Sequence, residues 1–157
     1  HTEGNDFIMG GAGNDTLTGG KGNDVMWGLD SLGTAASSDS DTFVWALGDA
    51  GDSGATDVVK DFTPYNNGTG DKLDVRDLLQ GYNPSNALLS DWVKTVATAQ
   101  VVNGVANCTV ISIDVDGSGL GTSTQTIVLE NVNLLSGLNG TLEQQLQALK
   151  TSGVIVA

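Results

Sequence analysis

Large apolar residues recur at every ninth position at the start of the chain, at Ile8, Leu17 and Met26. Because side chains alternate across a strand, only the middle residue of a three-residue strand faces inward. The pattern therefore predicts short strands at these positions, with their middle residues stacked into one core face. The stretches between them are rich in glycine and asparagine and are expected to form turns.

The turns repeat as closely as the strands. Residues 1–9 read HTEGNDFIM, residues 10–18 read GGAGNDTLT and residues 19–27 read GGKGNDVMW. Self-similarity at a fixed short period is typical of a solenoid, and the pattern G-G-x-G-x-D-x-U-x is that of a calcium-binding repeat. A flexible Gly/Asn linker is the alternative, but a linker does not place a large apolar residue at one phase.

Each turn carries an aspartate at the same position, namely Asp6, Asp15 and Asp24. Calcium takes six to eight oxygen ligands from carboxylates and carbonyls. The glycines let the backbone adopt positive φ and bring its carbonyls close together, where they can face an ion. Asn5, Asn14 and Asn23, which precede these aspartates, are expected to brace the turns.

These units resemble the RTX repeats of bacterial proteins exported by type I secretion, in which two nonapeptides form one coil of a parallel β-roll. The resemblance implies that turns on the same side lie 18 residues apart, as Asp6 and Asp24 do. An ion between these two aspartates would also take carbonyl oxygens from both turns. The implied carbonyl donors are Gly4, Gly10, Gly11, Ala12, Gly13, Gly19, Gly20, Lys21 and Gly22.

Asp15 needs a partner one coil later, and the candidates are Asp39 and Asp41. Residues 39–45 read DSDTFVW, which keeps the order of aspartate, spacer and inward apolar residue but lacks the glycines. We interpret this segment as a degenerate closing turn after an irregular insertion at residues 28–38.

Two further short strands follow, at residues 57–62 and 70–75. Their order resembles the segment after the repeats in RTX proteins. Asp57, Asp61 and Asp71 either hold another calcium ion or cap turns, because aspartate is common in turns in any case.

The rest of the chain predicts a short helix near residues 87–92, then strands at 93–102 and 105–115 joined by an Asn103-Gly104 hairpin turn. A strand at 126–130 follows. Thr141 opens a capping box for a helix that ends at Gly153, with Leu142, Leu146 and Leu149 on one face. This region resembles the C-terminal targeting region of type I secretion substrates, in particular that of very large adhesins.

The predicted fold is therefore mainly all-β. Residues 1–45 form a short parallel β-roll, a calcium solenoid, and residues 46–157 form a β-rich cap and C-terminal type I secretion region with one or two short helices. We expect the two parts to be one continuous folded unit.

The excess of acidic residues also favours calcium binding. The chain has 19 acidic and 6 basic residues, for a formal net charge of −13. Nucleic acid and anionic membranes are poor partners for such a surface, and no membrane insertion is expected. Aspartates crowded into turns repel one another, and calcium would relieve that repulsion. Cys108 is the single cysteine, so no intrachain disulfide is possible, and it is expected to be buried.

Other motifs carry less weight. Residues 114–119 (DVDGSG) match the first half of an EF-hand loop, but Gln125 stands where the bidentate glutamate belongs. Residues 51–54 (GDSG) resemble a serine-protease tetrapeptide, yet the chain has only one histidine, His1, as a possible base. We therefore expect no enzymatic activity.

The leading hypothesis is a calcium-folded RTX module that directs type I secretion of a large extracellular adhesin and starts its folding outside a Gram-negative cell. Its partners would be calcium ions and the secretion machinery, an ABC transporter with an outer-membrane channel. The alternatives are the tail of a secreted protease or lipase, and a module that binds ice or carbohydrate. Against the last, the residues before each Gly-Asn-Asp are Glu3, Ala12 and Lys21 rather than a row of Thr and Asn.

Overall fold

The protein is described here by a computed structural model that covers residues 2–29, 39–51, 54–66, 68–116 and 124–157. Most of the predicted insertion, two residues of the GDSG motif and the EF-hand-like match beyond Asp116 lie outside these residues. The side chains of Thr2, Thr95 and Ala99 are also left undescribed.

The fold is mainly β, as the sequence predicts. Its strands are β1 (Thr2–Glu3), β2 (Phe7–Met9), β3 (Thr16–Leu17), β4 (Gly20–Lys21), β5 (Val25–Trp27), β6 (Thr42–Val44), β7 (Ala55–Val59), β8 (Lys72–Asp74), β9 (Val93–Val102), β10 (Val105–Asp114), β11 (Thr124–Leu129) and β12 (Ile155–Val156). Helix α1 spans Leu142–Thr151, and 3-10 turns lie at Arg76–Leu78 and Leu89–Asp91.

The strands form two main sheets. One has six strands in the order β2-β5-β7-β11-β10-β9, and the other has four in the order β12-β8-β6-β3. All neighbours are parallel except β11-β10-β9, which are antiparallel. Odd-numbered repeat units feed the first sheet and even-numbered units feed the second, so successive turns alternate between two sides of the molecule.

Strand register follows the nine-residue period where the repeats are intact. Phe7 pairs with Val25, 18 residues later, as predicted. The sequence interval between paired residues is longer where the repeat pattern is lost. Val25 pairs with Val58, and Thr16 pairs with Thr42. The loops absorb the added residues while the strand pairing continues.

The core lies between the two sheets. Met26, Phe43 and Leu73, the middle residues of β5, β6 and β8, are fully inaccessible to solvent, as is Val59, which pairs with Met26. Leu17 is also buried, whereas Ile8 in the first strand of the six-stranded sheet is only partly covered. The single inward phase read from the sequence is therefore the core of the repeat region.

The hairpin of β9 and β10 turns at Asn103 (φ 49°) and Gly104 (φ 83°), as the Asn-Gly signal predicts. Strand β11 pairs antiparallel with β10 and parallel with β7, so it joins the hairpin to the repeat region. Cys108 in β10 is buried, as expected.

The helix predicted near residues 87–92 is wrong in type. Only the 3-10 turn at Leu89–Asp91 forms, because Leu88 is extended (φ −88°, ψ 142°) and the Asp91 carboxylate accepts from its backbone N–H. The predicted strand at 57–62 also begins and ends earlier, at Ala55 and Val59.

The predicted C-terminal helix is confirmed. The Gln144 side chain accepts from the Thr141 N–H at 2.9 Å, and the Thr141 hydroxyl accepts from the Gln144 N–H at 3.4 Å. Leu146 and Leu149 are buried, and Gly153 (φ 85°) follows the helix. The chain then forms β12, which pairs with β8. None of the helices in the described ranges is long and apolar enough to cross a membrane.

Candidate calcium site

A row of aspartates runs along one side of the repeat region. The backbone N–H of Asp6 donates to Asp24 Oδ1 at 2.8 Å, and the N–H of Asp24 donates to Asp57 Oδ1 at 2.7 Å. Each carboxylate thus holds the backbone of the preceding coil. We call Asp6, Asp24 and Asp57 the first Asp column.

A second row has the same construction on the other side. Asp15 N–H donates to Asp41 Oδ1 at 2.9 Å, and Asp41 N–H donates to Asp71 Oδ1 at 3.0 Å. We call Asp15, Asp41 and Asp71 the second Asp column. Asp39, the other predicted partner for the second turn, accepts from the Gly13 N–H at 3.1 Å. Both candidates therefore contact that turn, and Asp41 occupies the repeat position.

The asparagines brace the turns in the opposite direction, as expected. Asn5 Oδ1 accepts from Asn23 N–H, and Asn23 Oδ1 accepts from Thr56 N–H, both at 2.8 Å. Asn14 Oδ1 accepts from Ser40 N–H at 2.8 Å on the other side. Each asparagine therefore holds the coil that follows it, whereas each aspartate holds the coil that precedes it.

Two carboxylate oxygens in these columns are buried without a hydrogen bond from any described residue. They are Asp24 Oδ2 and Asp15 Oδ2. Burying a charged oxygen without a partner is costly, so such atoms in folded proteins need an explanation. A hard cation is a suitable partner, and these carboxylates therefore fit the calcium that the repeats predict.

Glycines make room for the same carboxylates. A Cβ built on Gly19 would overlap Asp24 Oδ2, and one built on Gly10 would lie 2.8 Å from Asp15 Oδ2. Gly28 stands in the same relation to Asp41 Oδ2. Gly28 thus continues the series of first-position glycines, although the sequence pattern assigned it to the insertion.

The remaining turn glycines adopt the conformation that the sequence predicts. Positive φ angles occur at Gly4 (128°), Gly11 (100°), Gly13 (110°), Gly20 (97°) and Gly22 (129°). Gly22 also packs directly against the carbonyl of Gly4 in the preceding coil. The backbones of successive turns are thus brought close together, which a residue with a Cβ at position 22 would resist. That the carbonyls of the turn glycines, with those of Ala12 and Lys21, bind calcium stays a prediction.

Burial raises the pKa of the column carboxyls that lie inside the molecule. It raises the pKa of Asp57 and of Asp71 to about 6. Burial also raises the pKa of Asp24, with smaller contributions from the charges of Asp6 and Asp49. The pKa of Asp41 is raised by burial and then by its acidic neighbours, Asp15 first. Ionisation of the columns therefore opposes folding unless a cation compensates it.

The basic side chains of the protein are engaged elsewhere. Lys21, Lys60 and Arg76 form ion pairs with Glu3, Glu130 and Asp74. The other three contact ring faces or a backbone carbonyl: Lys72 lies over Tyr65, Lys150 lies over Tyr82 and Lys94 donates to the Asp91 carbonyl. None of these contacts involves a column aspartate, so no basic side chain of the protein is paired with the columns.

Of the three acids predicted to hold a further ion, two lie in the columns and one lies in neither. Asp57 lies in the first and Asp71 in the second, whereas Asp61 accepts from the N–H groups of Gly28 (3.0 Å) and Leu29 (2.9 Å). The charge of Asp61 contributes to the raised pKa of Asp71, after burial and the charge of Asp41. That Asp57, Asp61 and Asp71 hold a further calcium ion stays a prediction, although Asp57 lies in a different column from Asp71.

Three residues of this region were missed by the sequence analysis. Trp45 and Gln125 donate to Asp57, and buried Asp49 contributes to the raised pKa of Asp24. Trp45 and Gln125 carried no signal of this role, because their partner is distant in sequence. Asp49 sits in a Gly- and Asp-rich loop, whose composition was the only available hint.

Across the described ranges, no three or more His, Cys, Asp and Glu side chains form a metal-binding group. Side chains alone therefore do not complete a site. The arrangement matches a site in which aspartates supply part of the ligands and turn carbonyls supply the rest, as calcium permits.

Comparison with protein families agrees with this chemistry. Residues 2–30 match the family model described as RTX calcium-binding nonapeptide repeat (4 copies). A search of curated proteins finds no match to the chain. The matched segment covers residues 2–9 of the first repeat and all of the second and third, and it ends within the insertion.

Gly19→Ala is expected to lower the free energy of unfolding in calcium by about 1–3 kcal/mol, because the added Cβ overlaps the Asp24 carboxylate. Urea unfolding followed by circular dichroism measures the change. Ala12→Ser, which adds one atom at an exposed turn position, should stay within about 0.5 kcal/mol of the wild type. Equal losses in the two variants would contradict the steric assignment.

The calcium-free protein is expected to become more stable as the pH falls from 7 to about 4.5. Asp57 and Asp71 have a folded pKa of about 6, above the 3.8 of the unfolded chain. The folded state therefore binds more protons between pH 4 and 6, and stability falls as the pH rises through that window.

Asp57 and Asp71 each change the free energy of unfolding by about 2–3 kcal/mol over this pH range, at 1.36 kcal/mol per pKa unit. Urea unfolding in calcium-free buffer at several pH values measures it. The double variant Asp57→Asn, Asp71→Asn should show a much weaker pH dependence. A calcium-free protein whose stability rises between pH 4.5 and 7 contradicts this assignment.

Proposed function

We propose that the chain, which carries RTX calcium-binding repeats at residues 2–30, is a calcium-folded module of a protein secreted by the type I pathway. In this proposal the repeat region is a parallel β-roll. The β-rich remainder caps the roll and contains the C-terminal secretion region. The exported protein is a large adhesin at the surface of a Gram-negative bacterium, and the module itself is not an enzyme.

One observation carries the calcium part of the proposal. Asp24 Oδ2 and Asp15 Oδ2 are buried without a hydrogen bond from a described residue, one in each column, and both aspartates stand at the sixth position of their repeat. The same atoms lie against the first-position glycines of their repeats. The sequence pattern, the buried oxygens and the glycine contacts thus favour the same ion.

Calcium bound to the aspartates would stabilise the folded state, so folding would depend on the calcium concentration. Bound calcium supplies the positive charge that the column carboxylates need. Without it, burial and mutual repulsion oppose the folded state, and the formal charge of −13 adds to this opposition. Extracellular calcium modules bind with a Kd of roughly 10⁻⁴ to 10⁻³ M. At about 1 mM calcium each ion then stabilises the fold by about 0.4–1.4 kcal/mol, and at cytosolic calcium by almost nothing.

The position of the C-terminal segment supports coupling between calcium and export. Strand β12 pairs with β8, and β8 pairs with β6, which follows the second Asp column. The Glu143 carboxylate in α1 also accepts from the Ser90 N–H at 2.8 Å. A chain that cannot complete the columns would leave this segment unpaired and accessible to an ABC transporter and its outer-membrane channel.

The alternatives receive less support. In the row before the Gly-Asn-Asp motifs, exposed Glu3 and Lys21 form an ion pair at 3.4 Å, so this face is charged rather than a regular array of Thr and Asn. That argues against ice binding. The tail of a secreted protease or lipase remains the alternative for the protein as a whole, with catalysis in another domain.

Calcium is expected to raise both the strand content and the melting temperature of the protein. The change should occur at calcium concentrations near 10⁻⁴ to 10⁻³ M. Asp24→Asn and Asp15→Asn should each shift the midpoint of a calcium titration upwards by about tenfold or more, because each removes a charged ligand. Circular dichroism and thermal melting measure these changes.

Asp91→Asn is the matched control, because Asp91 is exposed and lies outside the columns. Its calcium midpoint should equal that of the wild type. A chelated wild-type protein with the same strand content and melting temperature as the calcium-loaded protein would sink the calcium-folding proposal.

Export is expected to depend on the C-terminal segment but not on the calcium ligands. In a Gram-negative host with a type I exporter, a reporter fused ahead of the full chain should reach the medium. Deletion of residues 142–157 should retain it in the cell. The double variant Asp15→Asn, Asp24→Asn should still be exported, because the exporter acts on the unfolded chain, and should then fail to fold in the medium. Retention of the double variant, or export of the deletion variant, would refute this part of the proposal.

A further inference from the structure

The two Asp columns contain carboxylates of two kinds. In Asp24 and Asp15 the second oxygen is buried without a partner among the described residues. In Asp57 and Asp71, the last members of the columns, both oxygens accept hydrogen bonds from the protein. We propose that Asp57 and Asp71 are positioning residues that hold the calcium-binding aspartates in place and do not themselves bind calcium.

Donors from the protein engage both oxygens of the Asp57 carboxylate. Its Oδ1 accepts from the Asp24 N–H at 2.7 Å. Its Oδ2 accepts from the Trp45 indole N–H at 2.7 Å and from the Gln125 amide at 2.8 Å. The side chain is fully buried. Donors point positive hydrogen atoms at the carboxylate, so they occupy the positions that a cation would take and already satisfy its charge in part.

Asp71 has the same arrangement with backbone donors. Its Oδ1 accepts from the Asp41 N–H at 3.0 Å, and its Oδ2 accepts from the Thr63 N–H at 2.7 Å. Only 5% of the residue is exposed. Gly70 packs closely against the carbonyls of Thr63 and Pro64, which closes this turn around the carboxylate.

Each of these residues acts through its neighbour in the column. Asp57 fixes the backbone of Asp24, and Asp24 Oδ1 in turn fixes the backbone of Asp6. Asp71 fixes Asp41, and Asp41 fixes Asp15 in the same way. The last carboxylate of each column therefore sets the position of the next one without an ion, and the free oxygens of Asp24 and Asp15 are presented to calcium.

The inference rests on the proposed function, because it assigns roles within the proposed calcium sites. It separates two properties of a carboxylate, its hydrogen-bond acceptor atoms and its negative charge. A positioning residue needs an acceptor atom toward the column, which an amide also provides. A calcium ligand needs the negative charge, which an amide lacks.

The test compares Asp57→Asn and Asp57→Leu with Asp24→Asn in the full chain, using isothermal titration with calcium chloride. Asp57→Asn is expected to bind as many ions as the wild type, with a midpoint raised by less than that of Asp57→Leu. Its oxygen still accepts from the Asp24 N–H, and only the Trp45 indole N–H loses its acceptor. The Gln125 amide can rotate to offer its oxygen, which has no partner among the described residues, to the new NH₂ group. Asp57→Leu should bind the same number of ions with a midpoint raised by about tenfold, since it leaves buried donors unpaired.

Asp71→Asn and Asp71→Leu repeat the comparison on the second column, so a variant at position 57 that does not fold leaves the test intact. Asp24→Asn, in contrast, should lose an ion. The proposal is overturned if Asp57→Asn or Asp71→Asn binds fewer ions than the wild type, or if its midpoint shifts as far as that of Asp24→Asn. A wild-type protein that takes up no calcium would overturn the proposed function as well, and the two failures are thereby distinguished.

Discussion

The constraint on which the structure depends is the neutralisation of two rows of carboxylates, four of which belong to buried residues. Each column places three aspartates on successive coils, and burial raises the pKa of Asp24, Asp41, Asp57 and Asp71. All six basic side chains are engaged away from these columns. The sheets have a well-formed apolar core, but the turns that connect their strands keep an unbalanced charge until a cation arrives. Folding and calcium binding are therefore expected to be one process in this chain.

The strands after the repeats pair directly with the strands that carry or follow the Asp columns. Strand β7 carries Asp57 and pairs with both β5 of the repeats and β11 of the hairpin sheet. Residues at the end of the second column lead into β8, which pairs with the C-terminal strand β12. The boundary near residue 45 in the sequence thus divides two compositions but not two cores. Both main sheets contain strands from either side of it.

The sequence predicts the parts of this structure that repeat locally. The nine-residue phase identifies the buried Leu17 and Met26, and the 18-residue spacing identifies the contact between Asp6 and Asp24. The capping box of α1 and the Asn103-Gly104 turn are equally local signals. The contact between Gln125 and Asp57 spans 68 residues and depends on β11 pairing with β7, which no short pattern specifies. The 3-10 turn at Leu89–Asp91 was misread as a helix because its apolar residues fit either form, and the extended Leu88 decides between them.

The Asn-Asp pair of each repeat explains why the coils stack in one direction. Asn5 accepts from the coil after it, whereas Asp24 accepts from the coil before it, so two side-chain hydrogen bonds join the same pair of turns from opposite sides. Asparagine suits the first position because a second carboxylate there would add repulsion beside the aspartate. Aspartate suits the second position because one of its oxygens accepts a backbone hydrogen bond and the other is left to bind a cation. An amide at that position would keep the hydrogen bond to the preceding coil but would lose the ion. The hydrogen bonds of the Asn-Asp pair therefore set the geometry of a coil, and the charge of the aspartate makes its folding depend on calcium.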